Sequence, residues 1–253
     1  MISKILYKLK TEGLIKLLIS MIRYPFKYKK RRLYQRMLKQ KNSADRFTYI
    51  YKNNLWSSSE SLSGSGSEIA YTEPLRKWLT KNLPKFDIKN FIDAPCGDFN
   101  WMHSVVKKLN LSYLGIDIVS EVIKSNDQLY SEKLINFKIG DICQDPLPPC
   151  DLIMVRDCLF HLSFKDIEKF LINLDKTNYK YLLTSNHIVR KGFANKDIIT
   201  GDFRLIDLYN TPFNFDRKLV IENIVDSPEG YEYPREMIFI KKADVPTILN
   251  FEN

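Results

Sequence analysis

Between residues 91 and 186, short apolar runs alternate with stretches of helical length, which confines the chain to an α/β fold on a parallel sheet. Strands are expected near residues 91–94, 113–118, 136–142, 152–157 and 180–186, and helices near 101–109, 120–130 and 165–174. Residues 219–225 and 236–241 read as a closing antiparallel pair. A chain of 253 residues with 44% hydrophobic side chains can bury one substantial core, and a second full domain is not expected.

Three of the expected strands end at an aspartate. Open α/β sheets bind ligands outside the carboxyl ends of their strands, where the strand order reverses. Asp93 closes the first strand and leads into Ala94-Pro95-Cys96-Gly97-Asp98-Phe99-Asn100-Trp101. Gly97 lets the backbone pass close to a ligand, and Asp93 can accept from the turn or from a cationic group. Asp117 ends the second strand, 20 residues after Gly97. A carboxylate there can take both ribose hydroxyls of an adenosine cofactor, each bond contributing about 1.5–3 kcal/mol. Asp141 closes the third, placed to accept from an adenine amino group while Ile142 covers the ring. A nicotinamide dinucleotide is the rival cofactor. Its pyrophosphate wants a fuller Gly-x-Gly-x-x-Gly turn, and only Gly97 stands here, so a cofactor without phosphates fits better.

From Phe91 to Asn186 the chain resembles the class I S-adenosylmethionine-dependent methyltransferases. The resemblance implies a Rossmann-like, mostly parallel sheet with a C-terminal antiparallel hairpin, helices on both faces, and S-adenosyl-L-methionine as cofactor. It implies that Asp93, Pro95, Gly97 and Asp98, with Trp101, face the methionine moiety. Asp117 and Ile118 would hold the ribose, Asp141 and Ile142 would frame the adenine, and Arg156 would stand at the cleft mouth. The sequence departs from the family in the first turn, where Pro95 and Phe99 replace two glycines.

Three further stretches are similar to bacterial methyltransferases often encoded with surface-polysaccharide genes. They are residues 56–67 with Thr72 and Arg76, Arg156-Asp157-Cys158-Leu159-Phe160-His161-Leu162, and Gly201-Asp202-Phe203-Arg204. That similarity implies a small-molecule or glycan-precursor acceptor: a capsular or lipopolysaccharide sugar, or a phosphate or phosphoramidate-type group on one. Trp56, Ser63, Arg76, Asp202 and Arg204 would then face the acceptor, Arg204 forking onto a phosphate or carboxylate.

Methyl transfer to a hydroxyl needs alignment and removal of a proton. His161 is the first choice as base, with Asp157 orienting it or acting itself, and His187 is the second. His103 falls on an expected helix and reads as structural. The set Cys143, Cys150, Cys158 and His161 does not match the spacing of a compact zinc site, so no metal is expected.

Residues 1–45 read as a basic helical extension ahead of a methyltransferase domain at 46–253, with an acceptor-binding insertion near 188–217. The first 41 residues hold 13 of the 39 Lys and Arg but only one of the 30 acids, so the remainder is slightly acidic. Apolar positions between Ile2 and Ile22 recur at helical spacing with lysines between them. That stretch is too short to span a bilayer, though it suits an anionic membrane surface, and Pro25 should end it. Unpaired cysteine spacing and no signal peptide lead us to expect a cytoplasmic protein, at the inner membrane face if the extension binds lipid. An RNA methyltransferase gripping phosphates with the basic arm is an alternative. Nucleic acid is the weaker expectation, because the basic region ends near Lys41 and no RNA-binding motif follows. A methyltransferase fold acting only as a non-catalytic membrane module is a third possibility, disfavoured by the three retained acids.

Overall fold

A computed structural model describes residues 28–249. The amphipathic stretch expected between Ile2 and Ile22 lies outside the described residues. Seven strands form one sheet in the order β3-β2-β1-β4-β5-β7-β6. They are β1 (Asn90–Asp93), β2 (Ser112–Asp117), β3 (Ile135–Ile139), β4 (Leu152–Val155), β5 (Tyr181–His187), β6 (Val220–Val225) and β7 (Arg235–Lys241). β1 to β5 pair in parallel, while β7 runs antiparallel to both β5 and β6. The order of connection reverses between β1 and β4, opening a crevice at their carboxyl ends.

Side-chain alternation along the strands builds two cores. Ile92, Ile153, Val155, Leu182 and Ile240 pack on one face with Ile167, Phe170, Leu171 and Leu174 of α6 (Phe164–Lys176). Phe91, Leu152, Met154, Leu183 and Phe239 pack on the other with α3 (Glu73–Asn82) and α4 (Met102–Leu109). β4 is buried on both faces, which explains its unbroken apolar run. α5 (Ser120–Tyr130) follows β2, where the sequence places it.

Two helices had not been anticipated. α2 (Ser43–Lys52) starts at Asn42, whose side chain accepts from the Asp45 amide at 2.8 Å, and α3 starts with Pro74 in its first turn. Residues 28–38 are helical, here α1, and Met37 on α1 is fully buried. Residue 45, the expected border of the extension, falls inside α2, and Phe47 of that helix packs against the first of the two cores.

Two strands are shorter than expected, for local reasons. β3 stops at Ile139 because Asp141 turns its carboxylate onto the Cys143 amide at 2.9 Å, closing an Asx turn. β4 stops at Val155 because Asp157 takes φ +52°, which ends extended pairing.

Candidate active site

A cavity of about 510 Å³ lies in the crevice, within the size range of small-molecule sites. Its floor carries Asp93, Pro95, Gly97, Asp117, Ile118, Asp141 and Ile142, and Trp101, Arg156, Asp157 and His161 also line it. The three strand-end acids therefore line one cavity.

Asp117 organises the first turn. Its two oxygens accept from the Gly97 amide at 3.1 Å and the Val119 amide at 2.9 Å, and each oxygen keeps a further lone pair. Burial pushes its carboxyl up to about 6, against those backbone bonds. Asp93 accepts from the Tyr113 hydroxyl at 2.8 Å, and burial pushes its carboxyl up to about 7, with the Tyr113 bond and Arg156 opposing. Both groups ionise more readily beside a cation or hydroxyl donors, which are what an adenosyl sulfonium with its amino group and ribose would provide.

Gly97 adopts φ +54°, and a Cβ there would lie 2.4 Å from Ser63 Oγ. The substituted glycines find a partial explanation at Phe99, which points into the core. It packs on Tyr113, Phe137 and Tyr130 at centroid distances of 4.8, 5.1 and 5.3 Å, so its bulk stays out of the cavity. Asp98 does not line the cavity. Its carboxylate takes the Ser61 hydroxyl at 2.8 Å and the Leu62 amide at 2.9 Å.

These bonds fasten residues 56–67 over the crevice. Ser63 Oγ accepts from the Asp98 amide at 2.8 Å, and Asn100 donates to the Ser67 carbonyl at 3.0 Å. At the far end, a Cβ on Gly66 would meet Asp157 Oδ2 at 2.5 Å. Trp56, Ser63 and Ser67 face the cavity, so the polar stretch is a covering strap with no regular structure beyond a short turn at Ser65–Ser67. Arg76 stays off the cavity wall: it donates to the Ile69 carbonyl at 2.7 Å and steadies the end of the strap.

Beneath the strap is a buried ionic network. Arg156 donates to Asp226 at 2.8 and 3.1 Å and lies 3.4 Å from Asp157, and Arg235 reaches Asp157 at 3.2 Å. Arg235 also donates to the Tyr71 hydroxyl. Arg156 is thus committed to protein carboxylates although it lines the cavity. Burial would raise the Asp157 carboxyl, but Arg156 and Arg235 outweigh it and hold the pKa below the ordinary range. A carboxylate clamped by two guanidiniums and the Ser185 hydroxyl is a poor proton acceptor, so Asp157 fits a positioning role and not that of base. The hairpin of β6 and β7 supplies Asp226 and Arg235, partners that sequence spacing did not announce.

His161 places Nδ1 2.7 Å from the Asp202 carbonyl oxygen, so that nitrogen carries the proton and donates, leaving Nε2 as an acceptor. Burial lowers its pKa to about 4, against the Asp202 bond, so the ring is neutral near pH 7. Asp202 thus contributes through its backbone. His187 is off the cavity wall: its Nδ1 accepts from the Ile206 amide at 3.2 Å, and burial beside Arg235 lowers its pKa to about 4. Arg204 is also away from the cavity. Its guanidinium sits 4.8 Å above the Phe164 ring and donates to the Leu159 carbonyl at 3.4 Å, and the residue is buried.

The contribution of α2 to the cavity lining was not foreseen. Asn42, Ser43, Arg46, Phe47 and Tyr51 come from α2 and its cap, and the Asn42-to-Asp45 capping pattern was the one signal that could have located the helix.

The fold is shared with S-adenosylmethionine-dependent methyltransferases of known structure. Magnesium protoporphyrin IX methyltransferase from Synechocystis, crystallised with S-adenosylhomocysteine, superposes with a TM-score of 0.50 at 12% identity, covering 88% of this chain and 98% of that one. Human N-acetylserotonin methyltransferase, in complex with S-adenosylmethionine, gives 0.50 at 16% identity over 76% of this chain and 58% of its own. The methyltransferase SibL gives 0.50 at 13% identity, covering 77% and 69%. No protein-family model and no curated protein sequence matches the chain.

Proposed function

We propose that this protein transfers a methyl group from S-adenosylmethionine to a hydroxyl of a capsular or lipopolysaccharide sugar precursor, or to a phosphate-type group on one. The observation that carries the reading is the shared cavity, with Asp93, Asp117 and Asp141 on its floor and a neutral His161 on its wall. Asp117 would hold the ribose, Ile118 and Ile142 would flank the adenine, and Asp93 with the Gly97 turn would meet the methionine end. Bound there, the cofactor supplies an electrophilic methyl on a sulfonium.

The chain's own part is alignment and proton removal. As the acceptor oxygen gains the methyl its proton becomes strongly acidic, and His161 Nε2 takes it while Nδ1 stays on the Asp202 carbonyl. A weakly basic imidazole suffices for so acidic a proton. Support for a sugar comes from partly exposed aromatic rings beside His161. Phe203 lies 5.9 Å from His161 and 5.9 Å from Tyr233, and Phe203, Tyr231 and Tyr233 are 43, 38 and 37% exposed. Such rings offer stacking surfaces to the C–H faces of a sugar, beside tyrosine hydroxyls that can pair with its polar edge.

Incubation with labelled S-adenosylmethionine and a panel of nucleotide sugars and phosphorylated glycans tests the reading. Label should appear in a sugar or phosphate ester. Transfer to RNA alone, or no transfer by protein that binds the cofactor, would overturn it.

A further inference from the structure

The outer face of α1 has no place in the methyl-transfer site, yet its chemistry is strongly biased. Leu33, Tyr34, Met37 and Leu38 are at least partly buried, while Lys29, Arg31, Arg32, Arg36, Lys39 and Lys41 are all exposed. Lys29, Arg32 and Arg36 recur at i, i+3 and i+7, the spacing of one helical face. No acid occurs from residue 28 to residue 44 to neutralise them. Tyr28, 55% exposed, lies at the start of the described helix, with the Arg32 guanidinium 5.9 Å from its ring centroid. A cationic face with an amphipathic aromatic is the composition that suits a headgroup layer.

α1 is anchored next to residues of the cavity. Lys30 donates to Ser57 Oγ at 3.0 Å, next to Trp56 on the cavity wall. Met37 Sδ would stand 3.0 Å from a Cβ on Gly201, and the chain then runs directly into Asn42 and Ser43 on the cavity wall.

We propose that the outer face of α1 docks on an anionic lipid bilayer and so holds the cavity mouth close to the membrane surface. Lipid is favoured over RNA because the sequence ahead of residue 28 adds Lys4, Lys8, Lys10 and Lys16 among recurring Ile and Leu, an apolar component with no use on a phosphate backbone. The docking does not depend on the identity of the methyl acceptor.

The test is co-sedimentation of the full chain with vesicles of phosphatidylcholine alone and of phosphatidylcholine mixed with phosphatidylglycerol, at low and raised salt. Binding should require the anionic lipid and weaken with salt. The variant K29Q/R31Q/R32Q/R36Q should bind at least about ten-fold less, since each cation near such a surface contributes about a five-fold factor. These side chains are exposed, so unchanged S-adenosylhomocysteine affinity and melting temperature will confirm that the variant is folded. Three results would overturn the proposal: equal binding to both vesicle types, a folded variant that binds like the parent, or tight binding to an RNA oligomer with none to vesicles.

Discussion

Asp117→Asn is the sharpest perturbation of the proposed cofactor site, because it keeps the shape of the side chain and changes only its charge and hydrogen-bonding capacity. The two carboxylate oxygens face the Gly97 and Val119 amides at 3.1 and 2.9 Å. Whichever way the asparagine amide turns, its NH₂ confronts one backbone N–H. One turn bond and one acceptor for a ribose hydroxyl are lost together. A charge-assisted bond of about 1.5–3 kcal/mol corresponds to about a 10- to 150-fold weaker Kd for S-adenosylhomocysteine. Stability should move less. The unpaired amide costs about 1–3 kcal/mol, whereas removing a charge whose pKa burial raises to about 6 recovers a comparable amount at neutral pH. Titration calorimetry at about pH 7.5, with the melting temperature alongside, reads both quantities. A folded variant whose Kd stays within about three-fold of the parent refutes the ribose role of Asp117.

Further outcomes are expected for the pH dependence of the parent and for three other variants. The affinity of the parent for S-adenosylhomocysteine should rise as pH climbs through about 6, because hydroxyl donors need the ionised Asp117. The gain between pH 5 and pH 7.5 should be about ten-fold, and a flat profile would contradict it. The same raised pKa favours the folded state at low pH, and that contribution is lost between about pH 4 and pH 6 as the buried carboxyl ionises. His161→Gln should lower turnover about 100- to 10,000-fold once an acceptor is in hand, with cofactor affinity unchanged, and a loss below ten-fold removes it as the base. Gly97→Ala forces a Cβ to 2.4 Å from Ser63 Oγ at a left-handed φ that itself costs about 1–2 kcal/mol. Limited proteolysis should then cut faster within residues 56–67, with partial recovery in Gly97→Ala/Ser63→Gly. Unaltered cleavage would mean that the strap does not rest on that turn. Arg235→Met strips one guanidinium from a buried carboxylate, a change of about 3–5 kcal/mol, so the melting temperature should drop by at least about 6 °C. A drop under 2 °C in a calorimetric scan would show that Arg156 alone suffices for Asp157.

Local sequence determined the α/β alternation, five parallel strands within a residue or a few of their observed ends, the closing hairpin, and the delivery of Asp93, Asp117 and Asp141 to one crevice. Apolar periodicity and strand-end acids are properties of neighbouring residues, and neighbouring residues carry them. Only the tertiary structure decided which polar groups remain available for chemistry. Asp98 is spent on the strap, Arg156 on Asp226, Arg76 on the Ile69 carbonyl, and Arg204 is buried, while His161 alone of the proposed bases lines the cavity with a nitrogen left to accept. Asp157 meets Arg235 only because β7 runs antiparallel beside β5, across a sequence separation that no local pattern encodes. Pairings of that kind are fixed by sheet register and by the need of each buried charge for a counter-charge, and both exist only once the chain has closed.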